Sequence, residues 1–70
     1  MNAASAKRYF SRTGFVFVVD KTKGINTVTV RIKQYEDIES AIRYVQHSDS
    51  AYFVNATVAK RMGYDLEVSA

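Results

Sequence analysis

Residues 27–33, Thr-Val-Thr-Val-Arg-Ile-Lys, alternate polar and apolar without a break. Alternation of this kind marks a strand with one face covered, so the stretch reads as a half-buried strand. Residues 14–20, Gly-Phe-Val-Phe-Val-Val-Asp, are aromatic and β-branched and predict another strand before it. Between them, Lys21-Thr22-Lys23-Gly24-Ile25-Asn26 contains a glycine able to take positive φ, and reads as a hairpin turn with a bulge. Pairing Lys21 with Gly24 sets Phe15 against Val30 and Phe17 against Val28. Phe15, Phe17, Val19, Val28, Val30 and Ile32 then share one face, and both phenylalanines are expected in the core. Val16, Val18, Thr27, Thr29, Arg31 and Lys33 take the other face. A slip by one residue would divide the apolar set between two faces, which selects this register.

The period then lengthens to that of a helix. Tyr35, Ile38, Ala41, Ile42 and Val45 fall on one stripe and predict a helix over 35–47. Glu36, Asp37 and Glu39 crowd its expected first turn, where the helix dipole favours anions, and Glu39 precedes Arg43 by one helical turn. Ser48-Asp49-Ser50 ends it without a glycine. Residues 51–55 read as a third strand, with Asn55 as N-cap of a short helix over 56–62 and Gly63 as its C-terminal cap. Val58, Ala59 and Met62 of that helix are expected to touch the core. Residues 64–68 alternate again and predict a final strand. Residues 1–6 are small and uncharged and are expected to be frayed. Lys7 to Arg12, basic with two aromatics, reads as a short strand or an arm. The expected fold is α+β: a small, mostly antiparallel sheet packed on one main helix, in the order β-β-α-β-(short α)-β.

Composition narrows the class. With 70 residues there is room for one domain, and a core this small buries only about 60% of the unfolded chain's surface. There is no cysteine, so neither a disulfide nor a thiolate metal site can supplement that core. The longest apolar run, Phe15 to Val19, has strand length and cannot span a bilayer. The start of the chain lacks the apolar segment of a signal peptide. These features predict a soluble, cytoplasmic domain.

Charge changes the picture more. Residues 1–34 carry seven basic side chains against Asp20 alone, seven minus one, or +6. Residues 35–70 carry three basic against six acidic, three minus six, or −3. Such asymmetry points to a face for polyanions or to an electrostatically steered partner. The alternative reading is a solvated surface whose charges happen to segregate.

Catalytic chemistry finds little support. His47 is the only histidine, and Ser48, Asp49 and Ser50 are too close to it in sequence to converge as a triad. Glu36, Asp37 and Glu39 suit a helix start better than an acid–base pair. Asp65 and Glu67, two apart on the expected last strand, suit a solvated face better than a cation site. Zinc would need Cys or several His, and three isolated glycines cannot build a phosphate loop. The expectation is therefore a non-enzymatic domain with no cofactor and no small-molecule substrate. A single-strand platform of Phe15 and Phe17 is disfavoured by their place in the core.

What survives is a set of cations for nucleic acid or a nucleoprotein: Lys7, Arg8 and Arg12 interleaved with Tyr9 and Phe10, Lys21 and Lys23 at a hairpin, and Arg31 and Lys33 on the following strand. They would follow phosphates without reading sequence. Among five tyrosines, Tyr9 and Tyr44 are the interface candidates, because an apolar ring with a polar tip favours interfaces. The competing expectation is a small inhibitor or adaptor that binds a host protein, a role common among small regulators of phages and mobile elements. Its contact would be the acidic helix face, Tyr44 or a sheet edge. Unguarded edges also make a homodimer plausible, unless Lys33 and Arg12 act as edge protectors.

Overall fold

The computed structural model describes residues 1–64. In chain order they form α1 (Ala3–Thr13), β1 (Val16–Lys23), β2 (Val28–Tyr35), α2 (Ile38–His47), β3 (Ala51–Val54) and α3 (Ala56–Arg61). The class is the expected α+β. The sheet is antiparallel throughout, in the order β2-β1-β3. The predicted last strand lies outside the described residues. Among the described residues, no helix is long and apolar enough to cross a membrane.

The chain begins with a helix where a frayed end and a short strand or arm were expected. The Asn2 side chain accepts from the Ser5 N–H at 2.8 Å and caps α1. Ala6, Tyr9 and Phe10 then fall on one stripe, with Ala6 fully buried. A small residue reads as disorder in a sequence, yet it is what lets a helix lie close against a sheet. Gly14 ends α1 at φ +81°, its N–H donating to the Phe10 carbonyl at 2.7 Å, a conformation a side chain resists.

Val16, Phe17, Val18 and Val19 are all buried, because β1 is the central strand and both its faces are covered. On one face Val16 and Val18 join Ala6, Ala41 and Phe53 beneath α1 and α2. On the other, Phe17 and Val19 join Val54 and Ala59 beneath α3, with Phe15, Ile32, Met62 and Tyr64 around them. Edge-to-face contacts link Phe15 to Phe17 and Phe17 to Tyr64. The sheet is thus packed between helices and not on one main helix.

The hairpin register differs from the expectation. Val16 pairs with Tyr35, Val19 with Ile32, Lys21 with Val30 and Lys23 with Val28. The turn lies at residues 24–27, with Asn26 at φ +64° and the Gly24 N–H donating to the Thr27 carbonyl at 2.8 Å. The strands slide by six residues relative to the predicted pairing, an even number, so every side chain keeps its predicted face. Burial does not follow: Val28 is 59% and Val30 is 44% exposed. The six-residue α3 covers the Phe17–Val19 region and reaches no further along the hairpin.

Tyr35 ends β2, and α2 starts at Ile38 with Asp37 as its cap, later than predicted. Glu36 and Asp37 therefore precede the helix, and Glu39 alone is the acidic residue of the first turn. Asn55 caps α3 through the Val58 N–H at 2.9 Å, as the sequence indicates. Phe17→Ala should cost about 3–5 kcal/mol, most of the stability such a domain has. Ile25→Ala, at a tip position 93% exposed, should stay within about 0.5 kcal/mol. Urea unfolding followed by circular dichroism compares the two, and equal effects would contradict the double-faced core.

Candidate nucleic-acid interface

The predicted cations do not form one patch. Folding distributes them over three places. On α1, Arg8 and Arg12 stand one turn apart and line a groove of about 550 Å³ with Ser5, Tyr9 and Asn55. The Arg12 guanidinium lies 5.8 Å from the centre of the Tyr9 ring. Lys7 is exposed on the same helix but does not line that groove. Tyr9, a candidate for an interface, is partly buried, and its hydroxyl accepts from the Ala56 N–H at 2.9 Å. It ties α1 to the start of α3, a structural duty that its sequence neighbours do not reveal.

Lys21 and Lys23 lie on the sheet face that α3 packs against, beyond the end of that helix. Their row-mates are Val30 and Val28. The Lys21 ammonium is 5.9 Å from the ring centre of Tyr52, which is 37% exposed on β3. That neighbour could not be read from sequence, because it depends on β3 pairing with β1. Arg31 and Lys33 point to the opposite face. They line a cleft of about 210 Å³ with Val18, Asp20, Tyr35 and Tyr44, and the Lys33 ammonium sits 4.9 Å from the Tyr35 ring centre.

Asp20 is the residue of this region that sequence reasoning left out. One of its oxygens accepts from the Tyr44 hydroxyl at 2.5 Å, the other from the Ser50 hydroxyl at 2.6 Å. It pairs with Arg31 across the hairpin. The Ser50 bond foremost, then the Tyr44 bond, holds the Asp20 carboxyl below the ordinary carboxylate range; desolvation opposes this and Arg31 adds to it. The same Asp20 bond pushes the Tyr44 phenol above its ordinary value. Tyr44, the other interface candidate, keeps 41% of its surface exposed while its tip is fastened to β1. Beyond it, Arg43, His47 and Asp49 share with Tyr35 and Tyr44 an open groove of about 700 Å³ along α2. Among the described residues, no cluster of three His, Cys, Asp or Glu side chains could hold a metal ion.

The chemistry within reach is anion binding by cations that flank tyrosine rings. No protein family, no curated protein and no solved structure matches the chain.

A depressed carboxyl stabilises the fold above its unfolded pKa, near 3.9 for aspartate, and that contribution is lost as pH falls through the lower folded value. Thermal melting of the wild type should therefore fall off more steeply below about pH 4 than that of Asp20→Asn. Parallel pH profiles would show that the Asp20 bonds are not formed in solution.

Proposed function

We propose that the chain is a nucleic-acid-binding module that grips phosphates with the distal half of its β1–β2 hairpin. One observation carries the reading. β3 pairs only with Phe17 to Asp20, so the hairpin continues past the sheet as a two-stranded arm. From Lys21 to Tyr35 the chain holds four cations and no carboxylate. Lys21 and Lys23 are exposed on one face of the arm, and Arg31 and Lys33 are exposed on the opposite face at its base, where they pair with Asp20 and Val18. Asp20, the carboxylate at the base of the arm, is held by Tyr44 and Ser50.

An arm of this kind gains affinity by releasing counterions, and three or four phosphate contacts correspond to a log–log salt slope of about −3 to −4. Residues 21–30 are all exposed and are Lys, Thr and Val apart from Gly24, Ile25 and Asn26 at the turn, so the strands of the arm carry no row of side chains that would discriminate bases in a groove. Binding is expected to be strong at low salt and indifferent to sequence.

The measurement is fluorescence anisotropy with labelled single- and double-stranded DNA and RNA over a salt series. Lys21→Glu with Lys23→Glu should weaken binding at least tenfold and bring the slope about two units nearer zero. Lys60→Glu, on α3, should change little. No binding at low salt refutes the proposal, and so does an unchanged slope in the double variant.

The exposed Tyr44 ring beside Arg43 and His47 favours a second reading, a protein-binding adaptor whose contact lies along α2. In that case Tyr44→Ala abolishes partner binding while the hairpin variant retains it.

A further inference from the structure

The arm exposes apolar surface as well as charge. Val28 and Val30 are largely exposed on a strand that, among the described residues, is at the edge of the sheet. Hydrogen-bond alternation fixes what this edge offers. The Gly24 N–H donates to the Thr27 carbonyl, so residues 24 and 27 form a hydrogen-bonded pair. Successive pairs alternate, so Thr27, Thr29, Arg31, Lys33 and Tyr35 point their N–H and C=O groups at β1. Those of Val28, Val30, Ile32 and Gln34 point outward. The unpaired backbone groups and the exposed valines thus belong to the same residues.

We propose that the outer edge of β2 pairs antiparallel with β2 of a second copy of this chain, with Val30 opposite Val30. Three considerations select this occupant and this register. First, the sequence is self-complementary there. With Val30 on the two-fold axis, Val28 faces Ile32 of the second copy, and Ile32 faces its Val28. Centring on Thr29 would set Ile32 against Asn26. Centring on Arg31 would set Val28 against Gln34.

Second, the charges agree. In the Val30 register Arg31 faces Thr29 and Lys33 faces Thr27, so no cation meets a cation directly. Centring on Arg31 would place two guanidinium groups opposite one another, and centring on Ile32 would oppose Arg31 to Lys33.

Third, a receptor for the arriving side chain is already formed. Val30, Ile32, Met62, Gly63 and Tyr64 line a groove of about 280 Å³ against β2. Val28 of the second copy, opposite Ile32 on the same sheet face, is delivered to that groove. Each bare arm therefore lies along the half of its partner where α3 and Tyr64 supply cover. The other edge is less suited, since β3 has only four residues.

The result joins the three described strands of each copy into one continuous sheet. On its α2 side, Arg31 and Lys33 of the two copies form one row of four cations across the junction. As a phosphate site this row rests on the nucleic-acid reading above, while the dimer itself does not.

The test uses the absence of cysteine from the chain. Directly opposed residues of a hydrogen-bonded pair have Cα atoms about 5.5 Å apart, within disulfide range. Val30→Cys should form a covalent dimer under mild oxidation. Thr29→Cys alone should not, because Thr29 faces Arg31 of the second copy. In sedimentation equilibrium without nucleic acid, the wild type should approach twice the monomer mass as concentration rises. Val30→Lys and Val30→Glu should each be monomeric and folded by circular dichroism, and their equimolar mixture should recover the dimer. A monomeric wild type up to about 1 mM overturns the proposal. Equal or preferential cross-linking through Thr29→Cys, or a K/E mixture that stays monomeric, also overturns it. A monomer whose Val30 amide is nonetheless protected from exchange shows that the edge is already paired within one chain, and overturns it as well. These masses and cross-links are read without nucleic acid, so failure of the dimer and failure of nucleic-acid binding are separate results.

Discussion

Burial of Val16 to Val19 on both faces of one strand is the constraint that organises the molecule. Among the described residues, all three helices and both other strands pack against or pair with β1. A strand covered on two sides needs helices on two sides, which is why a chain this short uses α1 and α2 on one face and α3 on the other. Each fully buried valine or phenylalanine contributes roughly 1.5–3 kcal/mol of transfer free energy. Small residues make the close approach possible: Ala6, Ala41 and Ala59, one from each helix, are fully buried against the sheet.

The same arrangement leaves the hairpin half bare. The helices cover the beginning of β1 and the end of β2, and nothing among the described residues covers the turn side. Lys21, Lys23, Val28 and Val30 are exposed there because the hairpin outlasts its cover, not because the strands end. An arm rich in cations and lacking carboxylates is a poor stabiliser of its own fold, since its like charges repel. Its cations are the basis of the proposed phosphate binding, and its valines of the proposed pairing of two copies. Association of two copies would satisfy the edge that a small open sheet otherwise leaves exposed.

At the base of the arm, the covered and uncovered halves are joined by polar contacts. Asp20 is the first residue of β1 beyond the buried run, and it accepts from Tyr44 on α2 and Ser50 in the loop before β3. Three segments distant in sequence meet on one carboxylate at a partly exposed position. Its stabilising effect is modest, because solvent screens it. It ties α2 and the loop before β3 to β1 on the face to which Arg31 and Lys33 are also turned.

The alternation in residues 27–33 and the β-branched run in 14–20 determined, from sequence, that there is a hairpin and which residues share each face. The helical stripe around Ile38, Ala41, Ile42 and Val45 determined α2, and Asn55 with Gly63 bracketed the short helix. The inventory of cations was legible for the same reason: local chemistry and periodicity are properties of neighbouring residues. Tertiary structure alone decided the register, because a slide by an even number of residues leaves every face unchanged and the pattern cannot detect it. It alone decided that Ala3 to Thr13 is helical, since the value of Ala6 lies in a sheet that the local sequence does not contain. It decided that Tyr9 serves α3 and that Asp20 gathers Tyr44 and Ser50, pairings across many intervening residues. It also divided the cations among three places. Charge reports how much potential a chain carries, but packing determines where that potential is delivered.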